Sequence, residues 1–171
     1  MLGGALLLVG GGVSLALRSG ADAPGAGAPK TLKVLTAYEH AIVSAVAARL
    51  VPGDGAGPDG PTAQAAGVPE KVDALLATMH PRVTKELRQL LHLFENALTG
   101  LVSAGVATTF SRSSPAEQDR RLEAWRLSRL ALCRTGYQAM KRLAHATYYS
   151  TPAVYPRLGY PGPPAVPQGP A

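Results

Sequence analysis

The chain has 171 residues, enough for one domain, of which 46% are hydrophobic and only 16% charged, a balance that argues against a disordered polar chain. Its 19 glycines and 15 prolines gather in residues 1–29, 52–69 and 152–171 and leave only five for the rest. Helix-permissive blocks between breaker-rich segments speak against a βαβ repeat or long strands, and so against a Rossmann-type or barrel enzyme.

Seventeen Lys and Arg face eleven Asp and Glu, a formal net charge of +6. Eight basic and three acidic residues lie between Arg112 and Arg142. Such a surface suits nucleic acid, anionic lipid or an acidic protein, or is simply a solvated helix face. The single cysteine, Cys133, excludes an internal disulfide framework and a multi-cysteine metal site.

Residues Leu2 to Leu17 carry no charge. As a helix they would reach roughly 24 Å at ~1.5 Å per residue, short of the ~30 Å bilayer core. The stretch therefore reads as the apolar region of an export signal or a short anchor, and Ser19 to Pro29 as a tether. Its Gly-rich core followed by Arg18 resembles a twin-arginine signal without the upstream Arg pair.

Thr36 and Glu39 form a capping box opening a helix through Ile42, Val43, Val46, Ala47 and Leu50, which Pro52-Gly53-Asp54-Gly55 stops. A long loop runs on to Gly67. The next helix spans Val68 to Met79, and a third runs from Pro81 to Ser103 with an apolar stripe of Val83, Leu87, Leu90, Leu91, Phe94, Leu98 and Leu101. Ser114-Pro115-Ala116-Glu117 is a second capping box, opening a helix that carries Leu122 and Trp125. The stripe slips phase between Trp125 and Leu130, predicting a kink or break before Cys133, Tyr137, Met140, Ala144 and Thr147. Cys133 falls on that stripe as a small buried hydrophobe. The last twenty residues, with seven prolines and three glycines, exclude helix and suit docking on a surface, the chain's own or a partner's.

Chemical motifs are scarce. His40, His80, His92 and His145 share no metal-ligand spacing, and no nucleophile elbow or phosphate loop is present. Glu39, Glu70, Glu86 and Glu95 fall on predicted polar faces, and His80 beside Pro81 reads as a helix-junction residue. The basic face lacks a recognition-helix pattern, so nucleic acid is not an expected partner.

Several stretches form an ordered set: Leu35-Thr36-Ala37-Tyr38-Glu39; Leu50-Val51-Pro52-Gly53-Asp54-Gly55; Phe110-Ser111; Ser114-Pro115-Ala116-Glu117-Gln118; Trp125-Arg126-Leu127-Ser128; Tyr148-Tyr149; and Leu158-Gly159-Tyr160-Pro161-Gly162-Pro163. With them, residues 32–164 resemble the small subunit (subunit 3) of gluconate 2-dehydrogenase and related FAD-linked sugar dehydrogenases. The resemblance implies a non-catalytic partner, with no cofactor of its own, for an FAD-binding large dehydrogenase subunit. In such complexes a multihaem cytochrome c subunit commonly passes electrons to the membrane quinone pool. It further implies that the small chain escorts the folded flavoprotein through twin-arginine export, to the periplasm or the periplasmic face of the inner membrane. A free-standing exported helical binding or scaffold protein is the alternative.

The expected architecture is thus all-α, a small irregular bundle of four to five helices with a long Gly/Pro-rich loop and an extended C-terminal tail. Residues 1–29 are expected to be signal or anchor and tether, 30–151 the helical domain and 152–171 the tail. The segment 1–29 would touch the membrane if uncleaved. Expected partner contacts are Pro52, Gly53, Asp54, Trp125, Tyr148, Tyr149, Tyr155, Gly159, Tyr160, Pro161 and Gly162.

Overall fold

A computed structural model describes residues 31–51, 60–105 and 107–164. Helix α1 (Ala37–Leu50) is the element around which the others gather. It packs on α2 (Val68–Leu76), α3 (Pro81–Glu95), α5 (Pro115–Arg126) and α6 (Ala131–Tyr149). Ile42, Val43, Val46 and Ala47 are buried on one wide apolar face of it, the width that several packed neighbours cover. Its capping box forms as the sequence predicts: Glu39 N–H donates to Thr36 Oγ1 at 3.2 Å, and Thr36 N–H to Glu39 Oε2 at 2.9 Å.

Helix α2 follows Gly67, whose φ of 65° lies in the left-handed region that glycine enters at little cost. It ends at Leu76, three residues short of the predicted Met79. His80 caps α3, its Nδ1 accepting Arg82 N–H at 3.2 Å; this is the junction role read from the sequence.

The predicted helix from Pro81 to Ser103 is two helices. Asn96 leaves helical geometry (ψ 130°) and its side chain accepts the Leu98 N–H at 2.7 Å, capping α4 (Ala97–Ala104). Asparagine is among the strongest N-cap residues. The stripe is therefore broken: Leu87, Leu91 and Phe94 are buried, whereas Val83, Leu98 and Leu101 are exposed. Gly105 closes α4 at φ 69°. A 3-10 turn, Phe110–Arg112, leads to α5 through the Ser114–Glu117 capping box. The phase slip after Trp125 is a true break at residues 127–130 before α6.

Residues Pro152–Leu158 form a 3-10 helix, against the expectation that the tail excludes helix. Pro152 stands in the first turn, where a missing N–H costs nothing, and Val154 is wholly buried. The described residues thus hold six α-helices, two 3-10 segments and no strand, an all-α bundle.

An aromatic cluster joins α3, the 3-10 turn and α5. The Phe94 ring meets Phe110 at 4.5 Å and Trp125 edge-on at 4.7 Å. Gly136 lets α6 approach this cluster: a Cβ there would lie 2.6 Å from Leu90 Cδ1 and 2.9 Å from Trp125 Cζ3.

Candidate partner-binding surface

The interior contains charged groups, which make the obvious candidates for chemistry. Glu39 and Glu95, expected on polar faces, are both buried. Glu39 Oε2 accepts from Thr36 N and Thr36 Oγ1, while Oε1 bonds Arg88 Nε at 2.8 Å and His92 Nε2 at 2.9 Å. Burial opposes its ionisation, but the bonds from His92, Arg88 and Thr36 prevail and hold its pKa at about 2. The capping carboxylate of α1 is thereby also the bolt that joins α1 to α3.

Asp73 does the same for the chain leading into α1. Its Oδ1 accepts Val34 N–H at 2.9 Å and Leu35 N–H at 2.7 Å, and its Oδ2 accepts Lys33 N–H at 2.6 Å. These backbone donors outweigh burial and lower its pKa. Glu95 accepts from Ser111 Oγ at 2.5 Å and Ser111 N at 2.9 Å. There burial prevails and raises the pKa against those bonds. Buried Arg121 donates to the carbonyls of Phe94 at 3.2 Å and Thr108 at 2.5 Å, and lies over the Phe110 ring. Burial, then the charge of Glu95, pushes Tyr38 up to about 12 against the pull of Arg112.

The histidines are similarly engaged. His40 bonds Glu70 at 3.0 Å, and His145 bonds the Leu50 carbonyl at 2.8 Å. Every one of these polar groups joins one segment of the fold to another. Among the described residues no group of three His, Cys, Asp or Glu could hold a metal ion. An apolar recess of about 20 Å³, lined by Val43, Val72, Leu87, Leu91 and Met140 among others, is the size of a water molecule and too small for a sugar.

The residues expected to meet a partner separate into three groups. Pro52, Gly53 and Asp54 lie outside the described residues. Trp125 and Tyr148 are wholly buried, which corrects their reading as contact groups: Trp125 fills the space beneath Gly136, and the Tyr148 hydroxyl donates to Pro61 O at 2.9 Å, tying α6 to the loop before α2. The remainder sit at or near the surface. Tyr149 is half-buried against His145 and Tyr148. Tyr155 donates to Ser150 O at 3.0 Å and packs edge-on to Tyr160 at 5.1 Å. Gly159, Tyr160 and Pro161 are exposed, and Gly162 is partly so. The tail thus folds back through Val154, and after Leu158 it curls over Tyr155, Tyr160 N–H donating to Tyr155 O at 3.1 Å.

Sequence reasoning missed two further surfaces. On α4, Leu98, Leu101 and Val102 are 49–89% exposed on a helix without a single charged residue. At the α5–α6 turn, Leu127, Leu130 and Leu132 are 62–66% exposed. Leu98, Leu101 and Leu130 fit the helical stripes and so read as core; the uncharged run Ala97–Ala104 after a capping Asn was the available signal for α4. Large exposed apolar side chains in groups mark interaction sites.

The family model described as gluconate 2-dehydrogenase subunit 3 matches residues 37–162. No curated protein and no solved structure matches the chain.

Proposed function

Since the chain belongs to the gluconate 2-dehydrogenase subunit 3 family, we propose that it is the non-catalytic small subunit of an FAD-dependent gluconate or sugar dehydrogenase. It binds the flavoprotein subunit, supports its folding and stability, and accompanies it through twin-arginine export to the periplasm. FAD belongs to the large subunit and haem c to a cytochrome subunit; this chain contributes surface.

The uncharged, solvent-facing side of α4 carries this reading, together with exposed Leu158 and Tyr160 in the tail. A protein partner is the covering such a face fits, because apolar side chains without neighbouring charge gain most from a dry, close-packed interface. Export as an escort imposes the same need. A signal on one chain serves another only when the two are joined before translocation, so the interface must survive transport.

The test is co-expression with the large flavoprotein subunit. Replacing Leu98, Leu101 and Val102 together by Ser removes about 3 kcal/mol of transferable apolar area at about 1 kcal/mol per half-exposed side chain, roughly a hundredfold in Kd. Co-purification of the flavoprotein should fall accordingly, and its periplasmic fraction with it, while the variant's helical circular dichroism is retained. A second variant ends at Leu158. Full recovery of the complex from both variants would refute the docking reading.

A further inference from the structure

The turn between α5 and α6 is built unlike α4. Its leucines, Leu127, Leu130 and Leu132, stand out at the tip of a helical hairpin whose interior is closed beneath them by Trp125, which is wholly buried. The backbone there is fixed. Leu130 N–H donates to Ser128 Oγ at 3.1 Å, and Arg134 Nη1 reaches back to the carbonyls of Ser128 at 2.6 Å and Arg129 at 2.9 Å. Those bonds hold the three leucines outward instead of letting them fold back on the bundle. Among the described residues Arg126 pairs with Glu123, whereas Arg129 and Arg134 form no ion pair. The tip therefore combines projecting aliphatic side chains with uncompensated positive charge.

We propose that this hairpin tip rests in the interfacial layer of an anionic bilayer, with the leucines entering the acyl boundary and Arg129 and Arg134 at lipid phosphates. Leucine beside arginine on a projecting element is the composition of interfacial membrane contacts. The contact is peripheral, since no helix among the described residues is long and apolar enough to cross a membrane. It uses a different face from α4 and does not depend on which protein docks there.

Leu130→Trp in the full chain places a reporter at the tip, with Trp125 as a constant buried background. Mixed with vesicles of phosphatidylcholine and phosphatidylglycerol carrying brominated acyl chains, its emission should shift to the blue and be quenched. Vesicles of brominated phosphatidylcholine alone should give much weaker quenching. Val83→Trp, on α3, should stay unquenched in both, which separates tip contact from anchoring by residues 1–29. Arg129→Gln should weaken binding to the anionic vesicles roughly fivefold, the effect of one surface arginine, and added salt should do likewise. If Leu130→Trp fails to fold, Leu132→Trp reports the same surface. Absence of quenching at the tip, or equal quenching at position 83, overturns the proposal. A blue shift produced by the flavoprotein without lipid also overturns it and makes the tip a protein interface.

Discussion

Replacing Glu39 by Gln removes one charge from the most heavily bonded carboxylate in the fold. Its pKa of about 2, against an ordinary 4.5, means the folded chain stabilises the ionised form. Stability from this group is therefore fully present above pH 4.5 and is lost as the pH falls from there towards 2. At about 1.36 kcal/mol per unit, the difference amounts to about 3 kcal/mol near neutrality. Gln cannot accept at both ends, so Arg88, His92 or the Thr36 N–H loses its partner. Urea unfolding of wild type and Glu39→Gln, at constant slope, should differ by about 3 kcal/mol at neutral pH. The gap should narrow by about 2 kcal/mol on going to pH ~3, because the wild type loses the contribution and the variant has none to lose. A gap that stays constant across this range would refute the claim that ionised Glu39 joins α1 to α3.

Gly136→Ala should destabilise by about 1–3 kcal/mol and lower Tm by roughly 2–12 °C, because the added methyl meets Leu90 and the Trp125 ring. Helix propensity alone would give a gain of about 1 kcal/mol, so the sign of the thermal shift decides. Arg121→Ala should cost about 3–5 kcal/mol, since it strips the bonds that hold the carbonyls of Phe94 and Thr108; equilibrium denaturation reads it. Asp73→Asn turns an amide donor towards the backbone donors of residues 33–35 and should cost about 1–3 kcal/mol. That penalty should be present near neutral pH and shrink in acid, because the Asp73 pKa is lowered by folding. Truncation after Thr151 removes buried Val154 and should cost about 2–4 kcal/mol, whereas truncation after Leu158 should leave thermal stability within about 1 kcal/mol.

Features written in neighbouring residues were legible. Both capping boxes need only a Ser or Thr and a Glu three positions later, and each appears where the sequence places it. The break at 127–130 shows as a slip in the apolar repeat. Asn96 was hidden because the spacing from Phe94 to Leu98 and Leu101 continues a helix on paper; only the capping bond to Leu98 N reveals the stop. Burial of Glu39 was out of reach for a different reason: Arg88 and His92 lie 49 and 53 positions away, and no local pattern foretells such a meeting. The same distance hides Asp73, whose donors are 38–40 residues upstream. Tyr148 and Trp125 misled by residue type, since aromatic side chains serve interfaces and cores alike.

The polar groups of the interior and the apolar groups of the surface are spent differently in this fold. Here Glu39, Asp73 and Glu95 each engage both carboxylate oxygens with the fold's own donors. The unspent capacity lies outside, as apolar area on α4, at the α5–α6 tip and at the end of the tail. Exposed leucines gain nothing until a second surface covers them. The two exposed leucine groups differ in charge, and that difference is the basis for giving them different coverings. A protein suits the uncharged face of α4, and an anionic bilayer suits the arginine-flanked tip. A charge introduced on α4, as in Leu101→Glu, should then weaken recovery of the flavoprotein without altering vesicle binding. Arg129→Gln should do the reverse, and a variant of either kind that affected both measurements equally would show the two surfaces to be one.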